Sequence, residues 1–140
     1  MYKKAQYLKL ESPKKVLVVD DEKLSRDIIS KTLYRYLGCE VYLASNSNDA
    51  LSYLLSNDFN LMIVDLVMPG VSGVELIERT RLVNPDLLIM VVTGNAGDSD
   101  IAAIREMGIN QIVYKPFKIS SFLEMVADIL LEKEHQNNFA

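Results

Sequence analysis

Short runs of apolar residues, many of them β-branched, alternate along the chain with segments whose apolar positions recur every three to four residues. The runs are KVLVVD (15–20), EVYLA (40–44), LMIVDL (61–66), LLIMVVT (87–93) and QIVY (111–114). Most are continuously apolar rather than alternating, as expected of parallel strands covered on both faces. Between them, Leu24, Ile28, Ile29, Leu33, Tyr36 and Leu37 form one helical stripe that stops at Gly38, a C-cap candidate. Ala50, Leu51, Leu54 and Leu55 form a second, with Ser47 as the cap candidate. Ser72 and Glu75 match a capping box that opens a third helix, which ends before Asn84-Pro85. A fourth lies near residues 99–107 and closes at Gly108. Ile119, Phe122, Leu123, Val126, Ile129 and Leu130 give the last helix the clearest stripe.

Five strand–helix units in series predict an α/β fold, an open parallel sheet with helices on both faces joined by right-handed crossovers. Ligands of such sheets bind beyond the carboxyl ends of the strands. The residues that end the runs therefore carry the chemistry. The first run ends in Asp20-Asp21, the third holds Asp65, the fourth ends in Thr93, and Lys115 follows the fifth. An ionised carboxylate inside an apolar segment is costly unless something pairs with it, so Asp65 needs the others. Three crowded carboxylates repel, and a hard divalent cation relieves them; Mg²⁺ takes one or two carboxylates together with water and phosphate oxygens. Beside it Asp65 has the chemistry of a nucleophile toward phosphorus. Thr93 offers a hydroxyl and Lys115 a compact positive charge to the remaining phosphoryl oxygens. The set reads as a phosphoryl acceptor.

Composition narrows the class. At 140 residues, 49% hydrophobic and 24% charged, the chain has the size of one domain with a full core. No stretch approaches the roughly 18 consecutive apolar residues of a membrane span, and the start lacks the apolar core of a secretory signal. The one cysteine, Cys39, allows no internal disulfide and reads as a small buried hydrophobe. Residues 1–15 carry five lysines against one glutamate, a net +4, while the rest has ten basic and eighteen acidic residues, a net −8. An acidic body argues against nonspecific DNA binding. The expected layout is a basic arm over 1–13, a domain over 14–133 and a polar tail over 134–140. The one histidine, His135, falls in that tail, which leaves no histidine base for hydrolase chemistry. Neither G-x-G-x-x-G nor G-x-x-x-x-G-K-[ST] occurs, which argues against the familiar nucleotide-binding loops.

VLVVDDEKLSR, IVDLVMPGVSGVEL, VVTGN and VYKPF, in this order over about residues 14 to 132, closely resemble the receiver domains of response regulators in two-component phosphorelay signalling, of the single-domain, chemotaxis-regulator-like kind. The resemblance implies a flavodoxin-like (βα)5 doubly wound sheet in the strand order 2-1-3-4-5. It implies that Asp65 takes a phosphoryl group from a histidine kinase or phosphotransfer protein and that the aspartyl phosphate switches contacts with a downstream effector protein. By matched position, Mg²⁺ is held by Asp20, Asp21, Asp65 and the backbone carbonyl of Val67, with Asp21 the more direct of the acidic pair. Thr93 is the switch hydroxyl and Lys115 the phosphate-binding cation. Also implied are a cytoplasmic monomer or weak homodimer without direct nucleic acid or membrane contact, and no enzymatic activity beyond slow self-dephosphorylation. Such a receiver either stands alone or is part of a longer regulator.

One position departs from the family pattern. Three residues before the lysine, where receivers carry tyrosine or phenylalanine, stands Ile112, and Tyr114 adjoins the lysine instead. Lys115-Pro116 is expected to be cis, because the lysine must turn back toward Asp65 while Phe117 packs under the last helix. Two other classes of function compete with the receiver. An aspartyl-nucleophile phosphohydrolase often has a second aspartate two residues on, where this chain has Val67. A phosphorylation-independent interaction module is favoured only by Ile112.

Overall fold

A computed structural model describes Leu10 and residues 12–139. In chain order the elements are β1 (Lys15–Val19), α1 (Lys23–Leu37), β2 (Glu40–Ala44), α2 (Ser47–Ser56), β3 (Leu61–Val64), α3 (Gly73–Val83), β4 (Leu88–Thr93), α4 (Asp98–Glu106), β5 (Ile112–Tyr114) and α5 (Ile119–Phe139). The strands form one parallel sheet in the order β2-β1-β3-β4-β5, the doubly wound flavodoxin-like arrangement. Strand order reverses at β1, so the crevice between the carboxyl ends of β1 and β3 is where such a sheet receives a ligand.

The alternating faces of each strand feed two separate cores. Leu17, Val19, Met62, Val64, Ile89 and Val91 pack with buried residues of α2, α3 and α4 on one side. Val16, Val18, Leu61, Ile63, Met90 and Val92 pack with Ile29, Leu33, Phe122, Leu123 and Val126 of α1 and α5 on the other. Both faces being covered is the reason these strands read as unbroken apolar runs.

The helix ends follow local chemistry. Gly38 closes α1 with φ +67°, its N–H donating to the Leu33 and Tyr34 carbonyls, as a left-handed C-cap does. Ser72 caps α3 by accepting the Glu75 N–H, while the Glu75 carboxylate pairs forward with Arg79, so only one half of the capping box forms. At α2 the expectation for Ser47 does not hold. Asn46 is the N-cap, accepting the Asp49 N–H, and Ser47 is the first helical residue, buried, its hydroxyl donating to the Val71 carbonyl.

The stripe of α1 also needs correction. Leu24 and Ile28 are 71% and 41% exposed, and the buried face consists of Ile29, Thr32, Leu33 and Leu37. The helix begins just past the end of β1, so its first turn stands at the carboxyl edge of the sheet with little to pack against. Ile119, the first residue of α5, and Leu55, near the end of α2, are exposed in the same way. Ala127, absent from the predicted stripe of α5, is fully buried. The basic arm, apart from Leu10, Ser12 and Pro13, and the side chain of His135 lie outside the described residues. Among the described residues no helix is long and apolar enough to cross a membrane.

Candidate phosphoryl-acceptor site

The strands end one after another at the same edge, and the main chain continues their ladder for one more residue. The Asp20 N–H donates to the Ala44 carbonyl, the Asp65 N–H to Val19 and the Lys115 N–H to Thr93. This extra rung fixes where each polar side chain leaves the sheet. Asp20, Asp65 and Thr93 are buried, and Asp21 beside them is exposed.

Asp65 is the centre of the group. Its Oδ1 accepts the Val67 N–H and the Thr93 hydroxyl, each at 3.0 Å, and its Oδ2 accepts Lys115 Nζ at 3.1 Å. Lys115 Nζ also reaches Asp20 Oδ2 at 2.8 Å and Glu22 Oε1 at 3.2 Å. Asp20 Oδ1 accepts the Glu22 N–H. The Lys115-Pro116 bond is cis, as expected from the sequence. Thr93 already donates to the Asp65 carboxylate in the unmodified protein.

The electrostatics follow from crowding. Burial pushes the Asp20 carboxyl above the usual carboxylate range and the Asp65 charge adds to it, outweighing the hydrogen bonds from Lys115 and the Glu22 N–H. Burial alone lowers the pKa of Lys115, but its hydrogen bonds and ion pairs with Asp20 and Asp65 prevail and raise it above the usual lysine range. Lys115 is therefore a fixed positive charge at neutral pH.

Carboxylate oxygens of Asp20, Asp21 and Asp65 lie within 4.8 Å of one another. Asp21 has no hydrogen bond or ion pair among the described residues, and no group among them donates to the Val67 carbonyl. Three carboxylates, all hard oxygen donors, suit a Mg²⁺-sized cation, and one ammonium does not neutralise them.

All six residues proposed for the site, Asp20, Asp21, Asp65, Val67, Thr93 and Lys115, meet at this edge. Sequence reading missed three contributors. Glu22 pairs with Lys115, Arg26 donates from Nη1 to the Asp20 carbonyl at 2.8 Å, and Gly73 packs against the backbone of Asp65. A Cβ at Gly73 would meet the Asp65 carbonyl oxygen and lie 2.6 Å from Leu66 Cα, so α3 can begin there only without a side chain. No apolar period signals such contacts; Arg26 and Gly73 stand inside the quoted motifs without any chemistry that would single them out.

Comparison with known proteins agrees with this geometry. A family model described as "response regulator receiver domain" matches residues 16–127. The chemotaxis protein CheY homolog of Campylobacter jejuni is 33% identical over 119 residues, covering 83% of this chain and 92% of that protein. Transcription factor SKN7 of Saccharomyces cerevisiae is 33% identical over 102 residues, covering 73% of this chain, which spans only 16% of that protein's length. The crystal structure of a CheY-like receiver domain protein from Methanospirillum hungatei superposes with a TM-score of 0.83 at 28% identity, covering 89% of this chain and 99% of that one.

Proposed function

The chain belongs to the response regulator receiver domain family, and we propose that it is a Mg²⁺-dependent phosphoacceptor switch in which Asp65 carries the phosphoryl group. The observation that supports this best is the convergence on one buried carboxylate of a lysine ammonium, a threonine hydroxyl and two further aspartates drawn from three other strand ends.

The donor is a phosphohistidine of a histidine kinase or phosphotransfer protein. An Asp65 carboxylate oxygen forms the new bond to phosphorus, the phosphorus–nitrogen bond breaks, and the departing imidazole takes up a proton. Lys115 and Thr93 donate to the phosphoryl oxygens as negative charge gathers there, which a preorganised pair of donors does without moving far. Asp20, Asp21, Asp65 and the Val67 carbonyl would hold Mg²⁺, whose contribution is to neutralise the carboxylates and the incoming phosphoryl charge. The signal then passes to a downstream protein as a change of surface, and the chain acts as a switch rather than an enzyme, with slow self-dephosphorylation. Val67 beside the acceptor cannot orient an attacking water through its side chain.

Incubation with Mg²⁺ and a small acyl phosphate tests the reading. The expected result is a mass gain of one phosphoryl group, absent in Asp65→Asn and absent when Mg²⁺ is chelated. An adduct that persists in Asp65→Asn would put the nucleophile elsewhere, and rapid multiple turnover of a phosphate ester would favour a hydrolase.

A further inference from the structure

Four carboxylates, those of Asp20, Asp21, Glu22 and Asp65, crowd the carboxyl edge of the sheet, and Lys115 is bonded to three of them. A second cation stands close by and has no part in the reaction above. Arg26, half-buried in α1, donates from Nη1 to the main-chain oxygen of Asp20 at 2.8 Å, and its own N–H donates to the Glu22 carbonyl at 3.1 Å. The second is the ordinary first main-chain bond of α1; the guanidinium bond is the one that ties the helix to the far side of Asp21.

That tie matters because, among the described residues, Arg26 supplies the one side-chain donor to a main-chain atom of the turn. The Asp20 carbonyl lies where β1 runs out, and no other group among the described residues donates to it. Glu22 occupies the N-cap position of α1 but makes no side-chain cap. Asp21 has no partner among the described residues, so its main chain decides where its carboxylate points. The other ties, from the Glu22 N–H to Asp20 Oδ1, from Lys115 to the Asp20 and Glu22 carboxylates and from the Asp20 N–H to Ala44, leave the Asp20 carbonyl to Arg26.

We propose that Arg26 is a positioning residue for the acidic pair, fixing the turn so that Asp20 and Asp21 face Asp65. This rests on the reading of the acidic group as a Mg²⁺ site. Arg26 could act on a bound cation in two ways of opposite sign. Its positive charge repels the cation, while its hold on the turn keeps the ligands in place. In a half-exposed setting the Coulomb part is weakened by solvent, and geometry is expected to win.

The sign makes the test sharp. Mg²⁺ is titrated into the full chain as wild type, Arg26→Met and Arg26→Lys, following backbone amide shifts and, separately, the thermal midpoint. Methionine keeps the aliphatic stem and removes both donor and charge. Arg26→Met is expected to bind Mg²⁺ about tenfold more weakly, equivalent to ~1.4 kcal/mol, within the range for a hydrogen bond from a charged group. Arg26→Lys, with one donor and the charge retained, recovers most of that loss. In the metal-free proteins the amide resonances of Asp21 and Glu22 should shift in Arg26→Met, with faster hydrogen exchange at Glu22. Binding by Arg26→Met that is as tight as wild type, or tighter, overturns the proposal, since that is the outcome for a merely repelling charge. A wild-type protein that binds no Mg²⁺ overturns the metal reading instead, and the metal-free amide comparison still decides whether Arg26 holds the turn: unchanged Asp21 and Glu22 resonances would show that it does not.

Discussion

Lys115 Nζ lies 3.1 Å from Asp65 Oδ2 across 50 residues of sequence, and it bonds Asp20 at 2.8 Å across 95. The lysine is the only cation among the described residues to ion-pair with these two buried aspartates. Lys115→Met is therefore expected to destabilise the metal-free protein by about 3 kcal/mol, because removing one partner leaves buried charge uncompensated. Mg²⁺ should reverse part of the loss by taking over the neutralisation, so its addition should raise the variant's urea midpoint more than the wild type's. An equal response in the two proteins would mean that Lys115 and the metal do not answer the same charge.

The strands and the chemistry at their ends were legible in the sequence for one reason. A sheet buried on both faces needs continuous apolar runs, and any polar residue closing such a run must stand at its edge, as Asp20, Asp65, Thr93 and Lys115 do. What could not be read was whatever depends on how far an element overhangs or on what crosses from elsewhere. Leu24 and Ile28 keep the helical period of α1 but sit past the sheet. Ser47 has the chemistry of an N-cap, yet its hydroxyl serves Val71, 24 residues away, and Asn46 caps instead. Arg26 and Gly73 act through main-chain atoms of Asp20 and Asp65, which no side-chain pattern announces.

Gly73 and Gly70 make a matched pair. At Gly70 an added Cβ meets nothing within 4 Å, and the cost lies in its φ of +78°. Gly70→Ala is expected to lose about 1 kcal/mol and to accept phosphate at the wild-type rate. At Gly73 the Cβ runs into the Asp65 backbone, so Gly73→Ala must displace either α3 or the acceptor, at about 1–3 kcal/mol. Phosphoryl uptake from an acyl phosphate should then fall well beyond what the lost stability explains. Uptake measured at a temperature where both variants are fully folded checks this, and equal rates would free Gly73 from any role in placing Asp65.

Cys39 sets a stability limit at high pH. It is 1% exposed, and burial pushes its thiol up from 9.0 to about 12, the Lys14 charge opposing only in part. Between those values the folded chain keeps a proton that the unfolded chain releases. Stability from this group is thus complete below pH 9 and declines as pH rises to about 12. Urea midpoints at pH 8 and pH 10.5 should fall further apart in the wild type than in Cys39→Ala, and the native thiol should resist alkylation at pH 8. A thiol that reacts promptly without denaturant would contradict its burial.

The relay away from the site follows from Thr93 and Ile112 together. Ile112 is half-buried, packed against the core that also holds Ile101 and Met107 of the α4 region, and its branched side chain has few rotamers and no polar tip. It cannot alternate between solvent and pocket as a tyrosine can. Thr93 already bonds Asp65 Oδ1 at 3.0 Å, so phosphorylation of Asp65 is expected to exchange one acceptor for another at that hydroxyl instead of pulling it in from afar. The exposed Gly94 and Asn95 that follow, and through them the start of α4 at Asp98, are the segment expected to yield to the exchange. The expectation is that a phosphoryl mimic moves residues 94–97 and the first turn of α4 while Ile112 keeps its rotamer. Methyl spectra of Ile112 and amide shifts across 93–101, with and without the mimic, measure both at once. A rotamer change at Ile112 over a static 94–97 loop would reverse the assignment, making the side chain at 112 the carrier despite its lack of an aromatic ring.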